Sequence, residues 1–216
     1  MPRSQPKGFL AVPATGNGPG LLVLHPWWGL NETIKAFCGR LAAEGFVAFA
    51  PDLYHGKVAA TIKDAEILSS KLNETQAVSD TSDAATFLSE RAGPSSPGLG
   101  VIGFSLGAYF ALGLSLEAPE RVRAVVVFYG TRRADYRRSK AAYLGHFAQT
   151  DDYEPASEVS GLEDALRSAG RRVSFHTYPG TGHWFFEADR IDAYHEVASK
   201  SAWERTLGFL REELPS

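Results

Sequence analysis

The segment Gly103-Phe104-Ser105-Leu106-Gly107 constrains the fold more than any other part of the chain. On its N-terminal side, Leu99-Gly100-Val101-Ile102 reads as the end of a short buried strand. On its C-terminal side, Ala108 to Leu116 is rich in Ala and Leu and reads as a buried helix. A strand that runs through G-x-S-x-G into a helix forms a nucleophile elbow. So sharp a reversal holds the Ser in a strained backbone conformation, and Gly103 and Gly107 omit the β-carbons that would collide there. The turn lifts the hydroxyl clear of the sheet. It also puts a helix N-terminus beneath it, where backbone N–H groups stabilise developing negative charge. The competing reading is a Gly-rich turn with an incidental Ser; the strand–helix context argues against it.

A chain of 216 residues reads as one domain over 1–216, long enough for a sizeable core, with residues 1–7 as a frayed tail. The net charge of −3 gives no general affinity for nucleic acid or an anionic membrane. The one Cys, Cys38, excludes an internal disulfide and a Cys-based metal site, and it falls on the apolar face of a helix, as a core residue would. Met1 to Gly8 is polar and carries two prolines, without an apolar run of signal-peptide length. No stretch approaches the roughly 20 apolar residues that span a bilayer. The expectation is a soluble, cytoplasmic protein with no nucleic-acid or membrane partner and no metal.

Apolar runs alternate with helical periodicity along the chain. Gly8 to Ala14 reads as an edge strand and Leu21-Leu22-Val23-Leu24 as a strand buried on both faces. Ile34, Phe37, Cys38 and Leu41 fall at i, i+3, i+4 and i+7, which predicts a helix over 31–44 capped by Asn31 and ended by Gly45. Phe46 to Ala50 is the next strand. Residues 61–92 read as two helical pieces, and Pro94 to Gly98 as a loop. Val122 to Phe128, Tyr143 to Gln149 and Arg172 to Tyr178 read as strands, and Pro155 to Ala169 as a helix. Ser201-Ala202-Trp203-Glu204 looks like a capping box that opens the terminal helix. This order predicts an α/β protein with a mostly parallel sheet, helices on both faces and no lid domain.

After a nucleophile elbow the acid and then the His follow in chain order. Asp151 stands directly after the strand 143–149, and His183 stands in Gly180-Thr181-Gly182-His183-Trp184-Phe185 after the last strand. A Ser hydroxyl is barely nucleophilic at neutral pH. An imidazole takes its proton, and a carboxylate fixes the imidazole tautomer. Asp152 and Glu154 lie beside Asp151 and keep the acid open, with Asp152 next in order. His25 ends a strand beside the expected oxyanion loop and is placed to shape it. His146 and His176 fall inside strands, where structural roles are expected, and His195 is expected to face solvent. The basic cluster Arg132, Arg133, Arg137 and Arg138 reads as a solvated surface, with an anionic-substrate role as the alternative.

Together these segments resemble the dienelactone hydrolase family. The matching stretches are Leu22 to Asn31, Leu41 to Tyr54, the elbow, Phe128-Tyr129-Gly130, Leu144-Gly145-His146-Phe147 before Asp151, and Tyr178 to His183. The resemblance implies an α/β-hydrolase fold without metal or organic cofactor. It carries the nucleophile role to Ser105, the acid to Asp151 and the base to His183. The oxyanion-hole amides fall on Trp27 and Leu106. Three departures stand out. Prototypical members use Cys where this chain has Ser105. They carry a Glu in the first loop where this chain has Pro26. A basic residue that grips the dienelactone carboxylate lies four positions after the catalytic His, where this chain has Glu187.

These readings lead to an expected serine hydrolase of small carboxylic esters or lactones. Trp27, Trp28, Tyr54, Tyr129 and Trp184 are the candidate pocket walls. A negative group at 187 disfavours an anionic substrate and points to neutral short-chain or aromatic esters. The same machinery serves a thioesterase or acyltransferase, and a non-catalytic relative would bind a small molecule or a partner protein.

Overall fold

A computed structural model describes residues 4–92 and 96–215. The expected tail over 1–7 and the loop over 94–98 therefore fall partly outside the described residues. Seven strands form one sheet: β1 (Gly8–Ala11), β2 (Gly20–Leu24), β3 (Val47–Pro51), β4 (Leu99–Phe104), β5 (Val122–Phe128), β6 (Ala142–Ala148) and β7 (Val173–Tyr178). Their spatial order is β1-β3-β2-β4-β5-β6-β7. β1 runs antiparallel to β3, and each other neighbouring pair is parallel. The helices are α1 (Glu32–Ala43), α2 (Ile62–Ser70), α3 (Glu74–Ala92), α4 (Leu106–Glu117), α5 (Ala156–Ser168) and α6 (Glu196–Glu213).

The continuous apolar strands are explained by a core on each face. In β2, Leu21 and Val23 point into a cluster with Phe37, Cys38 and Leu41 of α1 and Ala202, Leu207 and Leu210 of α6. Leu22 and Leu24 point the other way, into a cluster with α3, α4 and α5. A strand residue therefore finds apolar surface whichever way it faces, and alternation with polar residues is lost. Cys38 lies in the first cluster, and burial pushes its thiol up to about 12. Such a thiol remains protonated and unreactive at neutral pH. No helix of the described residues is long and apolar enough to cross a membrane.

The strand order reverses at β2, which lies between β3 and β4. The carboxyl ends of β2 and β4 thus diverge into separate connections, and a crevice opens there. The loop Pro26–Leu30 leaves β2 at this point, and the elbow leaves β4. Asn31 caps α1 as expected, its side chain accepting from the N–H of Ile34. The terminal helix begins earlier than the capping-box reading places it. Its N-cap is His195, whose Nδ1 accepts from the N–H of Ala198 at 3.2 Å, and Ser201 lies inside the helix.

Candidate active site

Ser105 joins β4 to α4 with φ 48° and ψ −112°, a conformation costly for a residue with a β-carbon. Close packing holds it there. Its N–H donates to the carbonyl of Phe128 at 2.9 Å, and its own carbonyl accepts from the N–H of Ala108 at 2.8 Å. A β-carbon at Gly103 would strike the backbone of Gly107 and Ala108, and one at Gly107 would strike the carbonyl of Leu24 in β2. The elbow thus seats directly against the end of the neighbouring strand, and only glycine permits that approach.

The loop after β7 carries His183 to the elbow. Its Nε2 lies 3.0 Å from Ser105 Oγ. Its Nδ1 lies 2.8 Å from each carboxylate oxygen of Asp151, which follows β6. The Asp151 and His183 side chains are each 5 % exposed. Asp151 Oδ1 also accepts from the N–H groups of Tyr153 and Glu154, at 3.0 and 2.9 Å, and so fixes its own turn. Asp152 is exposed and does not enter this chain of contacts. Glu154 is turned to Thr131, whose hydroxyl and N–H both donate to it, and burial raises its carboxyl. Of the three neighbouring acids, the geometry brings Asp151 alone to His183.

His25 lies at the carboxyl end of β2 and is fully buried. Its Nδ1 donates to the carbonyl of Pro26 at 2.7 Å, and its Nε2 accepts from the N–H of Leu53 at 3.2 Å. Burial lowers its pKa and keeps the ring neutral, as one donor and one acceptor require. It ties the first loop to the turn after β3. His146 is likewise buried, bound to Tyr178 and Thr206.

The aromatic candidates divide. A cavity of ≈ 910 Å³ beside His183 is lined by Trp28, Trp184 and Tyr153 among others. Trp27 backs this wall, its ring stacked on Trp184 at 5.9 Å. Tyr54 does not border this cavity. It is buried, and its ring packs on His25 at 5.1 Å. Tyr129 is also turned inward, with no exposed surface. Its ring packs on His183 at 4.8 Å, and its hydroxyl donates to Glu187 Oε1 at 2.8 Å. These two tyrosines are therefore structural supports of the site rather than walls of the cavity. Tyr153, which sequence reasoning missed, takes up the wall position, with its ring 5.0 Å from His183.

Glu187 also departs from expectation. It is 1 % exposed and borders a separate cavity of ≈ 370 Å³ with Phe37, Phe104 and Phe186. Burial pushes its carboxyl up to about 8, so it is mostly protonated at neutral pH. The like-charge argument against an anionic substrate therefore does not run through Glu187. The arginine cluster is dispersed. Arg132 stacks over Tyr109, Arg133 pairs with Glu158, and Arg137 pairs with Asp135.

The sequence matches the dienelactone hydrolase family over residues 7–214. The chain belongs to the dienelactone hydrolase family. It is 32% identical over 219 residues to "Protein usf" of Aquifex pyrophilus, covering 96% of this chain and 94% of that one. It is 30% identical over 216 residues to the "Putative carboxymethylenebutenolidase" of Aquifex aeolicus (strain VF5), covering 95% and 92%. Among solved structures it resembles the "Putative Dienelactone Hydrolase" of Klebsiella pneumoniae, with a TM-score of 0.81 and 27% identity over 93% of this chain and 90% of that one. These likenesses agree with an α/β-hydrolase fold.

Proposed function

We propose that this member of the family is a serine hydrolase of small carboxylic esters or lactones. The observation that carries the reading is the continuous path from Ser105 Oγ through His183 to Asp151, set on a strained elbow. A module that only binds has no need of three such groups in register.

In the proposed reaction, Ser105 Oγ attacks the carbonyl carbon while its proton passes to His183 Nε2. Asp151 accepts from Nδ1–H, which leaves Nε2 free as the base and stabilises the imidazolium that forms. The carbonyl oxygen becomes an oxyanion and accepts from the backbone N–H groups of Leu106 and Trp27. Leu106 opens α4, and the first N–H groups of a helix have no partner within it. The tetrahedral adduct collapses as Nε2 returns the proton to the leaving oxygen. Water then attacks the acyl-enzyme, with His183 again as base, and the acid departs.

His25 supports this reading because its two hydrogen bonds hold the loop that presents Trp27. A screen over p-nitrophenyl esters of increasing acyl length, with lactones alongside, tests it. The expected result is turnover of short esters. No turnover of any ester or lactone would count against hydrolysis.

A further inference from the structure

We propose that the cavity beside His183 selects esters that carry a positive charge, an ammonium or quaternary ammonium on the acyl or alcohol side. This substrate class rests on the hydrolytic reading of Ser105, His183 and Asp151.

The lining of the cavity is the reason. Asp152, Asp189 and Asp192 contribute three carboxylates, and Arg190 is the one guanidinium among the lining residues. That guanidinium is engaged on one edge and one face, while its Nε is buried without a hydrogen-bond partner among the described residues. It lies 2.7 Å from Asp189 Oδ2 and 3.9 Å over the ring of Trp28. Asp152 and Asp192 have no ion-pair partner among the described residues, so the field over the cavity is negative. A cleft lined with one sign of charge concentrates ligands of the other.

The aromatic wall acts in the same direction. The negative ring faces of Trp and Tyr attract a cation within about 6 Å. Trp28 and Trp184 meet at 5.3 Å between centroids, and Tyr153 meets Trp184 at 5.1 Å. Tyr153 is 48% exposed, so its ring is open to a ligand beside His183. The guanidinium of Arg190 on Trp28 is a cation that this wall already holds. The indole N–H groups of Trp28 and Trp184 are buried without a hydrogen-bond partner among the described residues, and Trp28 is 1% exposed.

An anionic substrate meets the opposite conditions. Its carboxylate would be desolvated beside unpaired carboxylates, with only a partly engaged arginine to offset the cost. The cluster Arg132–Arg138 brings no relief, since none of Arg132, Arg133, Arg137 and Arg138 lines this cavity.

The test uses three acetate esters that differ in alcohol charge: acetylcholine, its uncharged carbon isostere 3,3-dimethylbutyl acetate, and 4-acetoxybutanoate. Specificity constants are measured on one wild-type preparation. At low ionic strength the choline ester should exceed the isostere by about fivefold to tenfold, and the anionic ester should be slowest. The preference should shrink at about 0.5 M salt, where the Debye length falls to roughly 4 Å. It should also shrink in the double variant Asp152→Asn, Asp192→Asn. A ratio at or below one, or a preference for the anionic ester, would overturn the proposal while leaving the hydrolytic reading intact. Failure to hydrolyse all three, together with failure of Ser105 to react with a fluorophosphonate, would overturn both.

Discussion

The Nε2 atom of His183 lies 3.0 Å from the Oγ of Ser105, although 78 residues separate them in the chain. Both stand at carboxyl ends of strands in one sheet, Ser105 after β4 and His183 in the loop after β7. β5 and β6 lie between these strands, and the residues that follow them complete the arrangement. Tyr129 after β5 packs on the His183 ring, and Asp151 after β6 holds its Nδ1. The sheet is thus the frame that sets the distances.

Asp151→Asn should reduce turnover of a neutral ester by on the order of 10²–10⁴. Asp152→Asn should cost far less. The Asn Oδ1 can keep the N–H groups of Tyr153 and Glu154, and its NH₂ then faces His183 Nδ1. That pairing favours the tautomer with the proton on Nε2, which cannot accept the Ser105 proton. Steady-state kinetics of the two variants check this, and the reverse ranking would move the acid to Asp152.

Glu187 should make stability fall as pH rises. An unfolded Glu titrates near 4.5 and the folded carboxyl near about 8, so between these values the folded state holds the extra proton. Stability is therefore fully present below 4.5 and is lost as pH rises through about 8. Glu187→Gln mimics the protonated form and keeps an acceptor for Tyr129. It should match wild type near pH 4.5 and exceed it by up to about 5 kcal/mol above pH 8. Urea midpoints across pH measure the difference. A difference that does not vary with pH would contradict the buried, protonated carboxyl.

Gly107→Ala should destabilise the protein by about 1–3 kcal/mol or more, because the added carbon meets the Leu24 carbonyl. Helix propensity alone favours Ala by about 1 kcal/mol, so it predicts the opposite sign. Gly161 in α5 has open space at the same point, and Gly161→Ala should stabilise by up to about that amount. Denaturant midpoints of the pair separate contact from propensity.

Much of this arrangement was legible in the sequence because burial and turn chemistry leave local marks. Leu21 to Leu24 is apolar throughout because both faces of β2 are covered. Gly103 marks the tightness of the elbow itself, Gly107 marks its close approach to β2, and Asn31 marks the start of α1. What stayed hidden depends on partners distant in sequence. The hydroxyl of Tyr129 meets Glu187 across 58 residues, and nothing near position 187 announces a buried carboxyl. Aromatic identity did not say which way a ring turns, so Tyr54 and Tyr129 read as walls and Tyr153 was passed over. The first turn of α6 was missed because it pairs an exposed Val197 with buried Ala198 and Ser199, a pattern without an apolar stripe. Ser199 Oγ instead donates to the carbonyls of Phe185 and His195.

The central claim is that Ser105 is the nucleophile, and covalent labelling tests it most directly. Wild-type protein and Ser105→Ala are treated with a fluorophosphonate, the modified residue is located by peptide mass, and hydrolysis of p-nitrophenyl acetate is followed on the same samples. The account predicts one adduct on Ser105 in the wild type and none in the variant. It also predicts a loss of turnover on the order of 10³ or more with the fold retained by circular dichroism. An adduct on another residue, or a folded Ser105→Ala that keeps more than about a tenth of wild-type turnover, would contradict it.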